Sequence, residues 1–362
     1  MKVVILARAL APYSVARYAA LERLDRHDTE VWTLGSAESN RQWNVARTMR
    51  PFKSRALQKA GSVDDIPSGV LKRALRSELE KSDPDVVAIS GYSEPAFRES
   101  ARWLRARGQT AVLMSESTEA DRFRLWPVEW AKGWFIRKYF SAAFVGGERS
   151  AAYLSKLGFP VARIWKGYDV VDNDLFARKA RRVRARPRAH RQRLRLPEKY
   201  FLYVGRFAPE KNLPLLLRAY GRYRRETTTK PWDLVLVGSG PLEKALHAQS
   251  AALGLGGVHW PGFLQLSDLP SMYALASCFI LPSRSEPWGL VVNEAMACGL
   301  PVLVSERAGA AGDLVVPGMN GYLFDPDDED ALQRLMRRIA GEATRLNKMG
   351  ASSHRIIAAW SC

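Results

Sequence analysis

The stretch "FILPSRSEPWGLVVNEAM", residues 279–296, reads as a strand, a turn and a helix in immediate succession. Phe279–Leu281 is a short apolar run, Pro282–Gly289 collects prolines and a glycine, and an apolar helical pattern starts at Leu290. The stretch also carries two glutamates eight residues apart. Glu286 stands just before the helix and Glu294 about a turn and a half inside it. That placement fits ligand chemistry, and it also fits ordinary capping and packing.

The same order recurs twice upstream. In "FLYVGRFAPEKNLPLLLRAY" (201–220) and "LVLVGSGPLEKAL" (234–246) an apolar run ends in a glycine-bearing turn, at Gly205 and at Gly238 and Gly240, and a helix follows. Further strands are expected at "GVHWPG", "PVLVS" and "GYLF", and in the first half at "KVVILA", "TEVWTL", "DVVAIS", "TAVLMS" and "AAFVGG". Continuous apolar strands alternating with helices imply parallel sheets covered on both faces, here two doubly wound α/β units in succession. In a parallel sheet all three turns lie at the carboxyl edge, where such sheets bind ligands and helix N-termini offer unpaired N–H groups to anions. Arg206 and Lys211 are placed there to meet a pyrophosphate. Glu286 and Glu294 would accept hydrogen bonds from the hydroxyls of a sugar or ribose.

A length of 362 residues suits two domains, and 47% apolar residues supply both cores. Cys278, Cys298 and Cys362 match no zinc or redox spacing, which suits a reducing cytoplasm. The opening apolar run is too short for a signal peptide, and no run approaches the ~18–20 residues of a membrane span. The net charge of +18 is uneven. Residues 1–176 carry 28 Lys+Arg against 21 Asp+Glu, residues 177–200 carry 11 against 1, and residues 201–362 carry 16 against 15. Such a bias suggests an anionic partner: a membrane surface, nucleic acid or a glycan.

The arginine-rich segment "ARKARRVRARPRAHRQRLRLPEKY" (177–200) reads as a solvated helix-and-turn linker over the domain junction or as a clamp for anionic lipid. In "RFRLWPVEWAKGWFIRKYF" (122–140), Trp126, Trp130 and Trp134 recur every fourth residue ahead of Arg137 and Lys138. A helix packed within its domain fits this stripe, and so does one lying at a membrane interface.

The second half closely resembles glycosyltransferase family 4, retaining enzymes of the GT-B fold. The resemblance rests on "VGRFAPEKN", "VGSGPLEKAL", "SRSEPWGLVVNEAMACGLPV" with its Glu-x7-Glu pair, and "GAAGDLVVPGMNGYLFDPDD". The first half joins it through "AAFVGGERSAAYLSKLGFP" and "GYDVVDNDLF". It implies two Rossmann-like domains facing a central cleft: an acceptor-binding domain over 1–176, a basic linker over 177–199 and a donor-binding domain over 200–362. By the resemblance, Arg206 and Lys211 contact the donor pyrophosphate, and Glu286 holds hydroxyls of the transferred sugar with backbone N–H groups around Trp288, Gly289 and Leu290. Glu294 binds the ribose, Leu290 and Val291 lie near the phosphates, and the turn Pro261–Gln265, with Gly262 and Phe263, meets the base. The donor is then a UDP- or GDP-sugar, with no cofactor and no metal. The Asp-x-Asp pairs at Asp83/Asp85, Asp172/Asp174 and Asp325/Asp327 count as background.

Two departures bear on activity. Many family members carry a histidine at the turn where this chain reads "TAVLMSESTEAD", so Glu116 becomes the candidate for contact with sugar or acceptor. The family also continues past "SSHRIIAAW" with a helix that crosses back to the first domain, whereas this chain stops at Cys362. The expected function is hexose transfer to a glycan or lipid-linked acceptor in polysaccharide or glycoconjugate synthesis, in the cytoplasm or peripherally on the inner membrane face. A nucleotide-sugar-binding protein without turnover is the alternative. A nucleic-acid-binding protein ranks lower, because no recognition motif accompanies the charge.

Overall fold

The computed structural model describes residues 1–36, 51–58, 62–121 and 124–362; Arg122 and Phe123 of the tryptophan-bearing stretch lie outside the described residues. The chain divides into two compact units, the first running to Val170 and the second from Val171 to Ser361.

The first unit holds a seven-stranded sheet built from β1 (Lys2–Ala7), β2 (Asp28–Thr33), β3 (Ser54–Ala56), β4 (Val86–Ser90), β5 (Thr110–Ser115), β6 (Ala142–Val145) and β7 (Ile164–Lys166). All pairings are parallel, in the order β3-β2-β1-β4-β5-β6-β7. Val4 and Leu6 enter a core with Leu75, Phe97 and Leu113, while Ile5 between them packs with Tyr18 and Met114. Successive residues of one strand thus feed opposite faces, as a doubly covered sheet requires. The edge strands β3 and β7 are three residues each and too short to leave a readable pattern.

The second unit repeats the plan with six strands: β8 (Tyr200–Val204), β9 (Asp233–Val237), β10 (Val258–Gly262), β11 (Cys278–Leu281), β12 (Val302–Ser305) and β13 (Gly321–Phe324). Their order is β10-β9-β8-β11-β12-β13, again parallel throughout. Every residue of β8, β11 and β12 is buried, which explains their near-continuous apolar sequence, broken only by Ser305 at the end of β12. Pro261 sits on edge strand β10, where a missing N–H costs no ladder bond.

The basic segment expected as a linker is part of the second unit. Asn173–Arg184 and Pro187–Leu194 are helices, and the first buries Phe176, Ala180 and Val183 at helical spacing between its arginines. Its N-cap is Asp172, whose carboxylate accepts from the Leu175 N–H at 2.8 Å. The unit therefore begins at Val171, where a bridge joins Val171 to Ser361. Asn173 strengthens that closure by donating to the carbonyls of Ile357 and Trp360 at 2.8 and 3.0 Å.

The tryptophan stretch is a helix, Trp126–Tyr139, which packs on the first unit through Gly133, Phe135 and Ile136 and leaves its indoles outside. Gly133 is a packing contact, since a side chain there would strike the Leu157 carbonyl. Among the described residues no helix is long and apolar enough to cross a membrane.

Candidate active site at the edge of the second sheet

In the second sheet the strand order reverses between β8 and β11, and the loops after these two strands lie side by side. Open α/β sheets hold ligands outside the carboxyl ends at such a switch point. The loop after β8 supplies Arg206 and Lys211; the loop after β11 supplies Glu286 and then the helix Leu290–Ala297. Chain folding joins them. The Lys211 Nζ donates to Glu286 Oε2 at 2.5 Å, with both side chains largely shielded from solvent, and the Ser283 hydroxyl lies 3.4 Å from the same oxygen.

The main chain locks both loops. The Glu210 carbonyl accepts from the Arg284 N–H at 2.8 Å, and Gly309 N–H donates to the Glu286 carbonyl at 2.9 Å. Tyr203, fully buried, donates its hydroxyl to the Arg206 carbonyl at 2.9 Å. Burial, reinforced by the charges of Glu286 and Glu210, pushes that phenol far above its usual pKa, so it stays a donor. Arg206 itself is exposed and forms no ion pair with any described residue.

The glycines of the "VGSGP" turn serve close backbone approach. A Cβ on Gly238 would stand 1.9 Å from the Gly205 carbonyl oxygen, and one on Gly240 would stand 2.5 Å from that of Phe207. In the space so left, Phe207 N–H donates to the Ser239 carbonyl at 2.8 Å and Leu242 N–H donates to the Phe207 carbonyl at 3.0 Å. Gly289 has φ of 102°, a left-handed conformation that lets the chain turn straight into the helix at Leu290. The N–H groups of Leu290 and Val291 occupy that helix's first turn, where donors lack intrahelical partners and the dipole favours an anion. Trp288, buried, donates from its indole to Asn293 Oδ1 at 2.9 Å.

Glu294 differs from Glu286. Its side chain is fully buried, and Oε2 accepts the Tyr273 hydroxyl at 2.5 Å. Gly262 (φ 78°) has open space where a side chain would project, and Phe263 follows it in the turn after β10. Glu116 follows β5 in the first unit, exposed, its carbonyl accepting from Ser150 Oγ at 3.2 Å. Sequence reading missed Tyr203, Tyr273 and Asn293, which hold these groups in place. No spacing rule links Tyr273 to a glutamate 21 positions on.

The Asp-x-Asp pairs have structural partners. Asp85 accepts the Lys2 N–H at 2.8 Å, Asp172 is the cap described above, and Asp327 binds Arg284 at 2.9 Å and Arg307 at 2.5 Å.

A parallel six-stranded unit with this loop pair, joined to a second parallel unit, is the architecture of a GT-B glycosyltransferase. Residues 186–355 match the family described as glycosyl transferases group 1, and the chain belongs to that family. It is similar to the sulfoquinovosyl transferase SQD2 of Arabidopsis thaliana, 35% identical over 289 residues that take in 74% of this chain and 52% of that protein. It is also similar to the O-antigen chain mannosyltransferase B of Escherichia coli, 36% identical over 135 residues, 37% of this chain and 34% of that one. The matches thus span a third to a half of the length of these relatives. Among solved structures, Anabaena HepE in complex with UDP and glucose superposes with a TM-score of 0.77 at 18% identity, covering 100% of this chain and 95% of that one. Sucrose-phosphate synthase from Thermosynechococcus elongatus gives 0.77 at 20% identity, covering 99% and 94%. At that identity the likeness establishes the fold.

Proposed function

We propose that the protein is a retaining hexosyltransferase that moves a sugar from a UDP- or GDP-sugar to a glycan or lipid-linked acceptor in polysaccharide or glycoconjugate synthesis. The observation that carries this reading is the Lys211–Glu286 pair at the switch point, beside Arg206 and the first turn of the helix Leu290–Ala297. Arg206, which forms no ion pair with any described residue, and a helix N-terminus add positive character beside the Lys211–Glu286 pair, so the site suits a diphosphate. Breaking the anomeric bond leaves charge on that diphosphate, and donors already fixed in place stabilise it without reorganising. Glu286 would turn from Lys211 alone to the sugar hydroxyls as well, and Glu294 would meet the ribose from beneath the helix. Glu116 is the candidate contact to sugar or acceptor from the first unit.

The reading gains support from relatives and neighbours. HepE is solved with UDP-glucose, and a similar protein of Mycolicibacterium smegmatis is named a GDP-mannose-dependent phosphatidylinositol monomannoside mannosyltransferase. The reaction needs no divalent metal in this proposal, the enzyme works in the cytoplasm or on the inner membrane face, and nucleic acid is not a partner.

The test is a thermal-shift panel of UDP, GDP and dTDP sugars followed by an assay of nucleotide release. A ligand at 100 times its Kd stabilises by about 2.7 kcal/mol. A shift with one nucleotide class, turnover that survives EDTA, and an α-configured product from an α-configured donor are the expected results. A shift with no turnover on any acceptor would favour the binding protein instead, a reading that the Ser115-Glu116-Ser117 turn keeps in view. No shift from any nucleotide would overturn the donor site.

A further inference from the structure

The helix Trp126–Tyr139 has two faces of opposite kind, and the inner one fixes how the helix is turned. Phe135 and Ile136 enter the core of the first unit. A methyl group on Gly133 would stand 2.6 Å from the Leu157 carbonyl oxygen, and Arg137 donates to that same carbonyl. Glu129, the one carboxylate in the helix sequence, is drawn inward, accepting from the Tyr153 hydroxyl and from Lys132 at 3.2 Å. Burial alone would raise its pKa, but these bonds outweigh burial and hold the carboxyl below its usual value. Arg124 closes the cluster, 4.5 Å over the Tyr153 ring.

The opposite face is apolar and aromatic. Trp126, Trp130 and Trp134 are 78%, 61% and 44% exposed. Residues four apart are neighbours on a helix, so the indoles form one row. Lys138 continues it, its ammonium 4.6 Å from the Trp134 ring. The face therefore joins three indoles to a terminal cation, with no carboxylate among them. Folded proteins rarely leave such a contiguous group open to water without a use for it.

We propose that this face docks on an anionic lipid bilayer, with the indoles at headgroup depth and Lys138 against lipid phosphate. Indole pairs an apolar body with an N–H that needs a partner, the combination an interface satisfies and a dry protein groove does not. A second copy of the chain offers no carboxylate on this face to receive Lys138, whereas anionic lipid does. The excess of 28 Lys+Arg over 21 Asp+Glu in residues 1–176 adds long-range attraction of the same sign. The inference deepens the proposed function by naming where the acceptor is met, and it rests on that reading only for its purpose, since docking is measured without any sugar.

The test is cosedimentation of the full chain with vesicles of phosphatidylglycerol and phosphatidylethanolamine, and with phosphatidylcholine alone. The wild type is expected to partition about tenfold better into the anionic vesicles, and W126S/W130S/W134S to lose about tenfold, because binding follows buried apolar area plus charge. K138Q should lose about fivefold, the effect of one basic residue at an anionic surface. Equal partition of the wild type into both vesicle types, or full retention by the triple variant, would overturn the proposal. So would a dimer in sedimentation velocity that the triple substitution dissolves while vesicles bind neither form. All substituted side chains are exposed, and an unchanged melting temperature would show that the variants fold. The nucleotide thermal shift, run on the same samples, is expected to be unaffected, which keeps a failure of docking apart from a failure of the donor site.

Discussion

The two sheets reverse strand order at equivalent places, and each place holds a cation from one loop against a carboxylate from the other. In the first unit Arg8, after β1, donates to Glu94, after β4, at 2.9 Å and to Asp64 at 2.5 Å. In the second, Lys211 after β8 meets Glu286 after β11 at 2.5 Å. The balance of charge differs. One arginine answers two carboxylates in the first unit, whereas in the second Lys211 pairs with Glu286 and Arg206 forms no ion pair with any described residue. The backbone differs too. The loop after β1, "ARALAPYS", has no glycine and enters its helix through Pro12, while the second unit's loops interlock through Gly205, Gly238 and Gly240. Topology supplies the location, and exposed Arg206 with the tightly packed turns distinguishes the one of the two that is proposed to hold a diphosphate.

The comparison breaks most easily at the carboxylates. E286Q is expected to lower turnover about 10²–10³-fold with little change in folding, because it removes a fixed charge at the reacting group. E94Q should leave turnover within a few fold and lower stability by about 1 kcal/mol, as expected for a partly exposed pair; equal kinetic losses would erase the distinction drawn here. The glycines come next. G238A forces a Cβ into the Gly205 carbonyl, and overpacking against backbone should cost about 3 kcal/mol, read as a fall of about 6–12 °C in melting temperature. G91A, after β4 in the first unit, has nothing within 4 Å and only a positive φ of 85° to strain it, so about 1 kcal/mol is expected. Y273F removes the hydroxyl from buried Glu294, and a loss of about 1–3 kcal/mol should appear in donor affinity or stability. The smallest effect is acid sensitivity of the first unit. The depressed pKa of Glu129 contributes stability that is present above the ordinary glutamate range and lost as pH falls through the folded value. An acid titration of the melting temperature should therefore be flatter for E129Q than for wild type.

The second sheet was legible because all positions of β8, β11 and β12 are buried and all but Ser305 are apolar. The three turns at its edge followed from strand direction alone. The burial of the helix Asn173–Arg184 was hidden because the arginines between its buried positions dominate the composition, even though Phe176 is wholly buried. The Lys211–Glu286 pair spans 75 positions and needed the strand order before it was visible. The sequence already set Glu286 before the helix and Glu294 inside it; burial separates them further, Glu294 wholly buried and Glu286 at the loop with part of its side chain accessible. The tryptophan row was plain, but its direction was not, since that is decided by Gly133 against Leu157 and by Glu129 against Tyr153.

The interlocked glycine turns also limit how this protein can change over generations. A side chain on Gly238 requires Gly205 to retreat, and one on Gly240 requires Phe207 to move, so neither turn drifts alone. Gly262 has open space where a side chain would project. Inherited variation at this sheet edge is thereby channelled to the turn after β10, while the turns after β8 and β9 are held to a shared sequence by each other's backbone.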